Sequence, residues 1–228
     1  INAEDALVRP RGIIANPNCT TIMMVVVLNP IDRLSHIRKV HVSSYQSASG
    51  AGAAAMQELQ QQYKELVETG EVKTIEKFPH QLAYNVIPQI DKMMENDYTK
   101  EEMKMIDETK KIIGDDALRI TATTVRVPVY RSHAESVNVE FESEISLDAA
   151  RQALAAFPGV ILHDNPAEQE YPMPLFTSGR TDVEIGRLRR DESTDHALNF
   201  WICGDQIRKG AALNALQIAE YMIAHELI

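Results

Sequence analysis

Cysteine is scarce in this 228-residue sequence, which carries only Cys19 and Cys203. Two cysteines build no disulfide framework, and no Cys-x-x-Cys or His-Glu-x-x-His spacing suggests a metal site. A reducing cytoplasm and no bound metal are therefore expected. Basic residues are outnumbered, 23 Lys and Arg against 33 Asp and Glu, for a net charge of −10 and a pI near 5.2. That balance argues against nucleic acid as a partner, because a general binder needs a basic face. Long apolar runs are also missing: Ile22 to Leu28 is far short of the roughly 20 residues that span a bilayer, so a soluble protein without a membrane partner is expected. There is no repeat or low-complexity tract. Yet 44% of the residues are hydrophobic, ample for one large core or two small ones.

What is present centres on Gly12-Ile-Ile-Ala-Asn-Pro-Asn-Cys-Thr-Thr-Ile22. Pro17 fixes its own φ and biases Asn16 towards extended backbone, so Ile13 to Asn16 are expected to leave a strand and turn. Cys19 then opens a helix, whose unpaired N–H groups and positive dipole end favour a thiolate over a thiol. Cys19 is the candidate nucleophile; the spacing alone equally allows a small buried hydrophobe. The sequence opens on Ile1 without Met and reaches this motif within twenty residues, so a piece of a longer protein is expected.

Further elements follow from pattern. The first helix runs from about Thr20 to Ser35, strained by Pro30, and Lys39 to Tyr45 alternates as a strand with Val40 and Val42 on one face. The small residues of Gln46 to Met56 bring backbone close to something and lead into a helix that ends near Glu68 before Gly70. Phe78 to Asp91, with Pro79 and Pro88, is an irregular loop. Thr99 and Glu102 form a capping box for a helix over Lys100 to Ile113, stopped by Gly114. Arg119 to Tyr130, Val137 to Glu142, Val160 to Leu162, Val183 to Leu188 and His196 to Cys203 carry β patterns, and Ser146 caps a helix from Leu147 to Phe157. Ile207 to Leu227 is a long final helix. The expected fold is α+β, a mixed and largely antiparallel sheet flanked by helices.

Several polar residues are placed for chemistry. Gln46, between a strand and the glycine turn, can point into the cleft of Cys19. Arg126, in a Val-rich strand, is costly to bury unless it meets an anion, and its planar fork suits a carboxylate; the alternative is the solvent face of an edge strand, consistent with Pro128. His133 lies seven residues on, an odd offset that faces it away from Arg126 unless Pro128 or the Arg131-Ser132 step bends the chain. Histidine is a natural acid or base beside a thiol, although six others dilute the signal. Glu101 and Lys104 share a helix face, which is usually just solvated, and Lys104 can equally pair with Glu108.

Together, Asn16-Pro-Asn-Cys-Thr-Thr21, Tyr45-Gln-Ser-Ala-Ser-Gly-Ala-Gly52, Asn85-Val-Ile-Pro-Gln-Ile-Asp91, Tyr98-Thr-Lys-Glu-Glu-Met-Lys-Met105, Arg126 to Val137 and Arg208-Lys-Gly-Ala-Ala-Leu-Asn214 resemble the aspartate-β-semialdehyde dehydrogenases, in that family's order and over essentially the whole chain. The resemblance implies a C-terminal domain like that of glyceraldehyde-phosphate dehydrogenase. The implied activity is NADP-dependent, reversible conversion of aspartate semialdehyde and phosphate to aspartyl phosphate through a cysteine thioester. The implied pathway makes lysine, methionine, threonine and isoleucine. It also implies roles: Cys19 as nucleophile, His133 as general acid and base, and Gln46 orienting the intermediate. Arg126 would hold the substrate α-carboxylate, Glu101 its amino group and Lys104 the phosphate, with Asn18 near the reacting oxygens. Ser49, Gly50 and Gln206 would approach the cofactor.

The Rossmann half of such enzymes is missing: no Gly-x-Gly-x-x-Gly follows a strand, and Gly50-Ala-Gly52 is too short a match. Residues 1–206 are then a catalytic and dimerisation domain, with 1–18 entering from the missing part, and 207–228 a helix that would pack on it. The piece alone is expected to bind NADP poorly and not to turn over. A homodimer or tetramer is expected. N-acetyl-glutamyl-phosphate reductase shares the logic but usually has Gly-Cys-Tyr where this chain has Asn18-Cys19-Thr20. A trimmed, non-catalytic dimerisation module is the alternative from another class.

Overall fold

The computed structural model describes residues 1–227. A 3₁₀ turn, Ala3–Leu7, and irregular chain lead to α1, Cys19–Asp32. There follow β1 (Ile37–Gln46), α2 (Ala53–Thr69), α3 (Lys100–Ile113), β2 (Arg119–Arg126), β3 (His133–Phe141), α4 (Leu147–Ala155), β4 (Val160–Leu162), a one-turn α5 (Pro174–Thr177), β5 (Val183–Arg190), β6 (Ala197–Gly204) and α6 (Leu213–Ala224). The six strands form one sheet in the order β2-β1-β3-β6-β5-β4. β1/β2 and β4/β5 pair in parallel and the other three pairs antiparallel, so the expected α+β class and largely antiparallel sheet are observed.

α1 is apolar all round and accordingly lies in the core, with Thr20 to Leu28 buried. It covers one face of the sheet, where Val40, Val42, Val137, Val139, Phe141, Phe200 and Ile202 meet Met23, Met24, Val27 and Leu28. Pairing keeps side chains in rows across this face. Val42 lies opposite Val137, Ser44 opposite Glu135, and His133 opposite Gly204. Along β1, β2 and β3 the row therefore changes from Val42, Ala122 and Val137 to Ser44, Thr124 and Glu135, and then to Gln46, Arg126 and His133. The polar row lies at one end of the sheet, where β1, β2 and β6 finish and β3 begins. The opposite face carries the half-buried Ser43, Tyr45, Asn138, Asn199 and Trp201.

Expected elements depart from the observed ones where tertiary context overrides local pattern. Ile13 to Asn16 form no strand, because no ladder partner lies beside them among the described residues. α1 ends at Asp32, short of the expected Ser35; Pro30 lies inside it and removes one interior N–H bond. The β run from Arg119 stops at Arg126, and His133 starts another strand with β1 between the two. The offset between Arg126 and His133 along one strand therefore never operates. The final helix opens with a π turn, Arg208–Ala212, and its α part ends at Ala224. Leu216 and Ile223 on it are 55% and 63% exposed, and an open cleft lies between α6 and the N-terminal segment, lined by Ile13, Asn16, Lys209, Asn214 and Tyr221 among others. No described helix is long and apolar enough to cross a membrane. α3, its capping box and its Gly114 stop in the left-handed region are as expected.

Candidate active site

Cys19 is the first residue of α1, and Asn18 caps it. Asn18 Oδ1 accepts the backbone N–H groups of Thr20 and Thr21 at 3.0 and 3.2 Å. Two of the donors expected to stabilise a thiolate are thus shared with the Asn18 cap. Gly210 of the π turn packs on Cys19 so closely that a Cβ there would lie 2.9 Å from the Cys19 Cβ. Burial pushes the thiol up to about 12; Glu101 and Glu135 push the same way, and the Thr20 N–H and Arg126 only partly oppose them. The expectation of a resting thiolate is corrected: desolvation in a carboxylate-rich site outweighs the helix end, and Cys19 rests as a thiol.

Glu101, near the start of α3, connects three other candidates. Its Oε1 accepts from Asn18 Nδ2 at 2.7 Å and Gln46 Nε2 at 3.2 Å, and its Oε2 from Lys104 Nζ at 3.2 Å. Lys104 also pairs with Asp91 at 3.6 Å, while Glu108 instead accepts the Asn18 backbone N–H at 2.7 Å. A merely solvated helix face does not describe Glu101, which is buried.

Arg126 ends β2, an edge strand as its neighbour Pro128 suggested, yet it is only 7% exposed. Its side-chain Nη1 donates to the Ser47 carbonyl at 2.7 Å. Among the described residues no carboxylate lies within 4 Å of it. His133 is fully buried at the start of β3. Its Nδ1 accepts the Ser47 backbone N–H at 3.1 Å and lies 3.0 Å from the Ser47 hydroxyl, whereas its Nε2 has no partner among the described residues. Burial and the neighbouring guanidinium hold the ring down to about 3, so it is neutral at pH 7. A Cβ on Gly50 would lie 2.9 Å from both Arg126 Nη1 and His133 Nε2. The two groups therefore converge on the space that this glycine leaves open.

Ser49 and Gln206 lie behind that space. Gln206 Nε2 donates to Ser49 Oγ, Ser49 Oγ is 2.8 Å from Ser47 Oγ, and Gln206 Oε1 is buried without a partner among the described residues. Asp205 fixes this corner: Arg131 binds it at 2.7 Å and the Gly179 and Ile207 N–H groups donate to it. Sequence reasoning missed Ser47, which is one small residue among several in its turn. It also missed Glu135, whose two carboxylate oxygens are buried without partners among the described residues, so that burial holds it well above the usual carboxylate range. The only signal for Glu135 was its position two residues past His133, on the same strand face.

The family model described as semialdehyde dehydrogenase, dimerisation domain, matches residues 28–209. A protein of Aquifex aeolicus named aspartate-semialdehyde dehydrogenase is 49% identical over 229 residues, covering 100% of this chain and 67% of its own length. A Synechocystis protein of the same name is 48% identical over 98% of this chain and 65% of its own. The solved structure of aspartate semialdehyde dehydrogenase II from Vibrio cholerae, complexed with ASA, superposes with a TM-score of 0.94 at 42% identity, covering 98% of this chain and 66% of that one. The chain thus spans about two thirds of the length of these relatives.

Proposed function

The chain belongs to the semialdehyde dehydrogenase dimerisation-domain family, and on that premise we propose that the protein it comes from is an aspartate-semialdehyde dehydrogenase of amino-acid biosynthesis. The reaction converts L-aspartate 4-semialdehyde, phosphate and NADP reversibly to L-4-aspartyl phosphate and NADPH, in the cytoplasm, on the route to lysine, methionine, threonine and isoleucine.

The observation that carries this reading is the Arg126 guanidinium, 7% exposed and without a carboxylate partner among the described residues. A buried cation in that state is costly unless an anion completes it, and its fork matches a carboxylate. The substrate α-carboxylate is that anion. Glu101 takes the α-ammonium, and Lys104 binds phosphate, exchanging part of its pairing with Glu101 and Asp91. Cys19 Sγ adds to the aldehyde carbon; a C–S bond forms, the thiol proton passes to the aldehyde oxygen, and a thiohemiacetal results. Gln46 and Asn18 orient it, and His133 acts as acid and base at its oxygen. NADP, when bound, would supply the hydride acceptor; His133 takes the hydroxyl proton, and Cys19 is left carrying the acyl group as a thioester. A phosphate oxygen then attacks the acyl carbon and the Cys19 sulfur departs. Gln206 Oε1, buried and unpartnered among the described residues, fits the carboxamide of a nicotinamide, with Ser49 and Gly50 beside it.

The exposed apolar side of α6 and the cleft beside it suit a nucleotide-binding domain, with residues 207–228 packing on it and residues 1–206 serving catalysis and dimerisation. The polar, half-buried sheet face around Tyr45 and Trp201 suits a homodimer contact. Replacing Arg126 with Leu in the complete protein tests the reading. Removing one partner of a buried charge pair costs about 2–5 kcal/mol, so kcat/KM for the semialdehyde falls roughly 30- to 5,000-fold with the circular dichroism unchanged. Unaltered kcat/KM refutes it.

A further inference from the structure

Ser47 touches both groups that face the open side of the site. Its backbone N–H donates to His133 Nδ1, its carbonyl accepts from Arg126 Nη1, and its hydroxyl lies between His133 Nδ1 and Ser49 Oγ. Two donors in this chain are fixed, the Ser47 backbone N–H and the Gln206 amide. An amide nitrogen only donates, so the hydrogen on Gln206 Nε2 points to Ser49 Oγ, and the two hydroxyls can continue in the same sense, Ser49 donating to Ser47 and Ser47 to Nδ1. The Ser47 backbone N–H imposes the same polarity by itself. A neutral imidazole whose Nδ1 accepts must carry its proton on Nε2. That nitrogen is buried, lacks a partner among the described residues and adjoins Arg126 Nη1 at the space over Gly50.

We propose that Ser47, backed by Ser49 and Gln206, is a positioning residue that holds neutral His133 in its Nε2–H tautomer, with that proton presented to the substrate oxygen. This rests on the reading of His133 as the residue at the substrate oxygen and specifies which atom acts and in which state. The chain ends on an amide, which passes no proton along, so it fixes the ring rather than conducting through it. In this tautomer the resting His133 is a hydrogen-bond donor, the acid half of its role, matched to an oxygen that gains negative charge as sulfur or hydride adds to a carbonyl; the base half is exercised only once Nε2 has given up its proton. The rival arrangement places the proton on Nδ1; the Ser132 backbone is the one neighbour that favours a protonated ring.

The ring nitrogens distinguish the two. In ¹⁵N-labelled complete protein at pH 7, long-range ¹H–¹⁵N spectra of His133 should show a protonated Nε2 and an unprotonated Nδ1. A protonated Nδ1 overturns the proposal whatever the activity. A second measurement compares His133→Gln, whose amide nitrogen falls near the Nε2 position, with His133→Asn, whose amide nitrogen falls near Nδ1. Loss of a donor to a developing oxyanion lowers kcat by about 10²–10³. The Asn variant should lose that much and the Gln variant at least about tenfold less, while equal losses overturn the proposal. Wild-type protein that fails to oxidise the semialdehyde would instead refute the enzymatic reading and leave the spectrum to decide the tautomer.

Discussion

Gly50→Ala separates the geometry of the site from the stability of the fold. A Cβ built at this position lies 2.9 Å from Arg126 Nη1 and from His133 Cε1 and Nε2, and ordinary contact requires 3.4–4 Å. The guanidinium and the ring must each retreat by about 0.5–1 Å, and both are held by Ser47 through bonds of 2.7 and 3.1 Å. Displacement of about 1 Å at a reacting group costs on the order of 100-fold in rate. Stability changes far less. Gly50 has no positive φ, so alanine there gains about 0.4–1 kcal/mol by restricting the unfolded chain, and this offsets a weakened hydrogen bond worth about 1 kcal/mol. The expected result is a kcat/KM about 100-fold lower with the urea midpoint nearly unchanged, measured as semialdehyde-dependent NADPH formation in the complete protein. Gly52→Ala is the control. Gly52 has φ +92° with nothing within 4 Å of an added Cβ, so alanine there strains the backbone by about 1–3 kcal/mol without reaching the ring. If Gly50→Ala keeps kcat/KM within about threefold of wild type, His133 and Arg126 are not the groups that meet the substrate.

Two further outcomes follow from the electrostatics. Because Cys19 rests as a thiol near 12, its alkylation by iodoacetamide is slow at pH 7 and rises about tenfold per pH unit towards that value. Glu101→Gln quickens labelling and Arg126→Leu slows it; fast labelling of the wild type at pH 7, followed by peptide mass spectrometry, refutes this. The second concerns acid stability. The His133 ring refuses a proton down to about pH 3, whereas the unfolded chain accepts one below about 6.5, so this residue makes the fold less stable as pH falls, by about 2 kcal/mol between pH 7 and 5. Glu135 acts with the opposite sign. Its buried carboxyl keeps its proton while the unfolded chain releases one above about 4.5, so its penalty shrinks as pH falls. Urea titrations at pH 7 and 5 should show His133→Gln holding up better in acid than wild type and Glu135→Gln worse; parallel slopes for all three refute the assignment.

Features governed by a few neighbouring residues were legible in the sequence alone. The Thr99–Glu102 capping box, the Gly70 and Gly114 stops, the helix opening at Cys19 and the valine alternation of β1 and β3 depend on backbone reach within one or two turns. Composition likewise bounded the class, and the ordered motifs pointed to the family. Tertiary structure decided what depends on residues far apart in the chain. Ser47 is 86 residues from His133 and 79 from Arg126, and Gln206 is 157 from Ser49, so no local pattern marks Ser47 as the residue that orients both. The state of Cys19 is of the same kind. A helix start favours a thiolate, but desolvation and the fields of Glu101 and Glu135 reverse the preference, and those depend on distances set only when α3 and β3 pack around α1. Capping and periodicity act along the chain, whereas the energy of a charge or a lone proton is set by everything within a few ångströms in space.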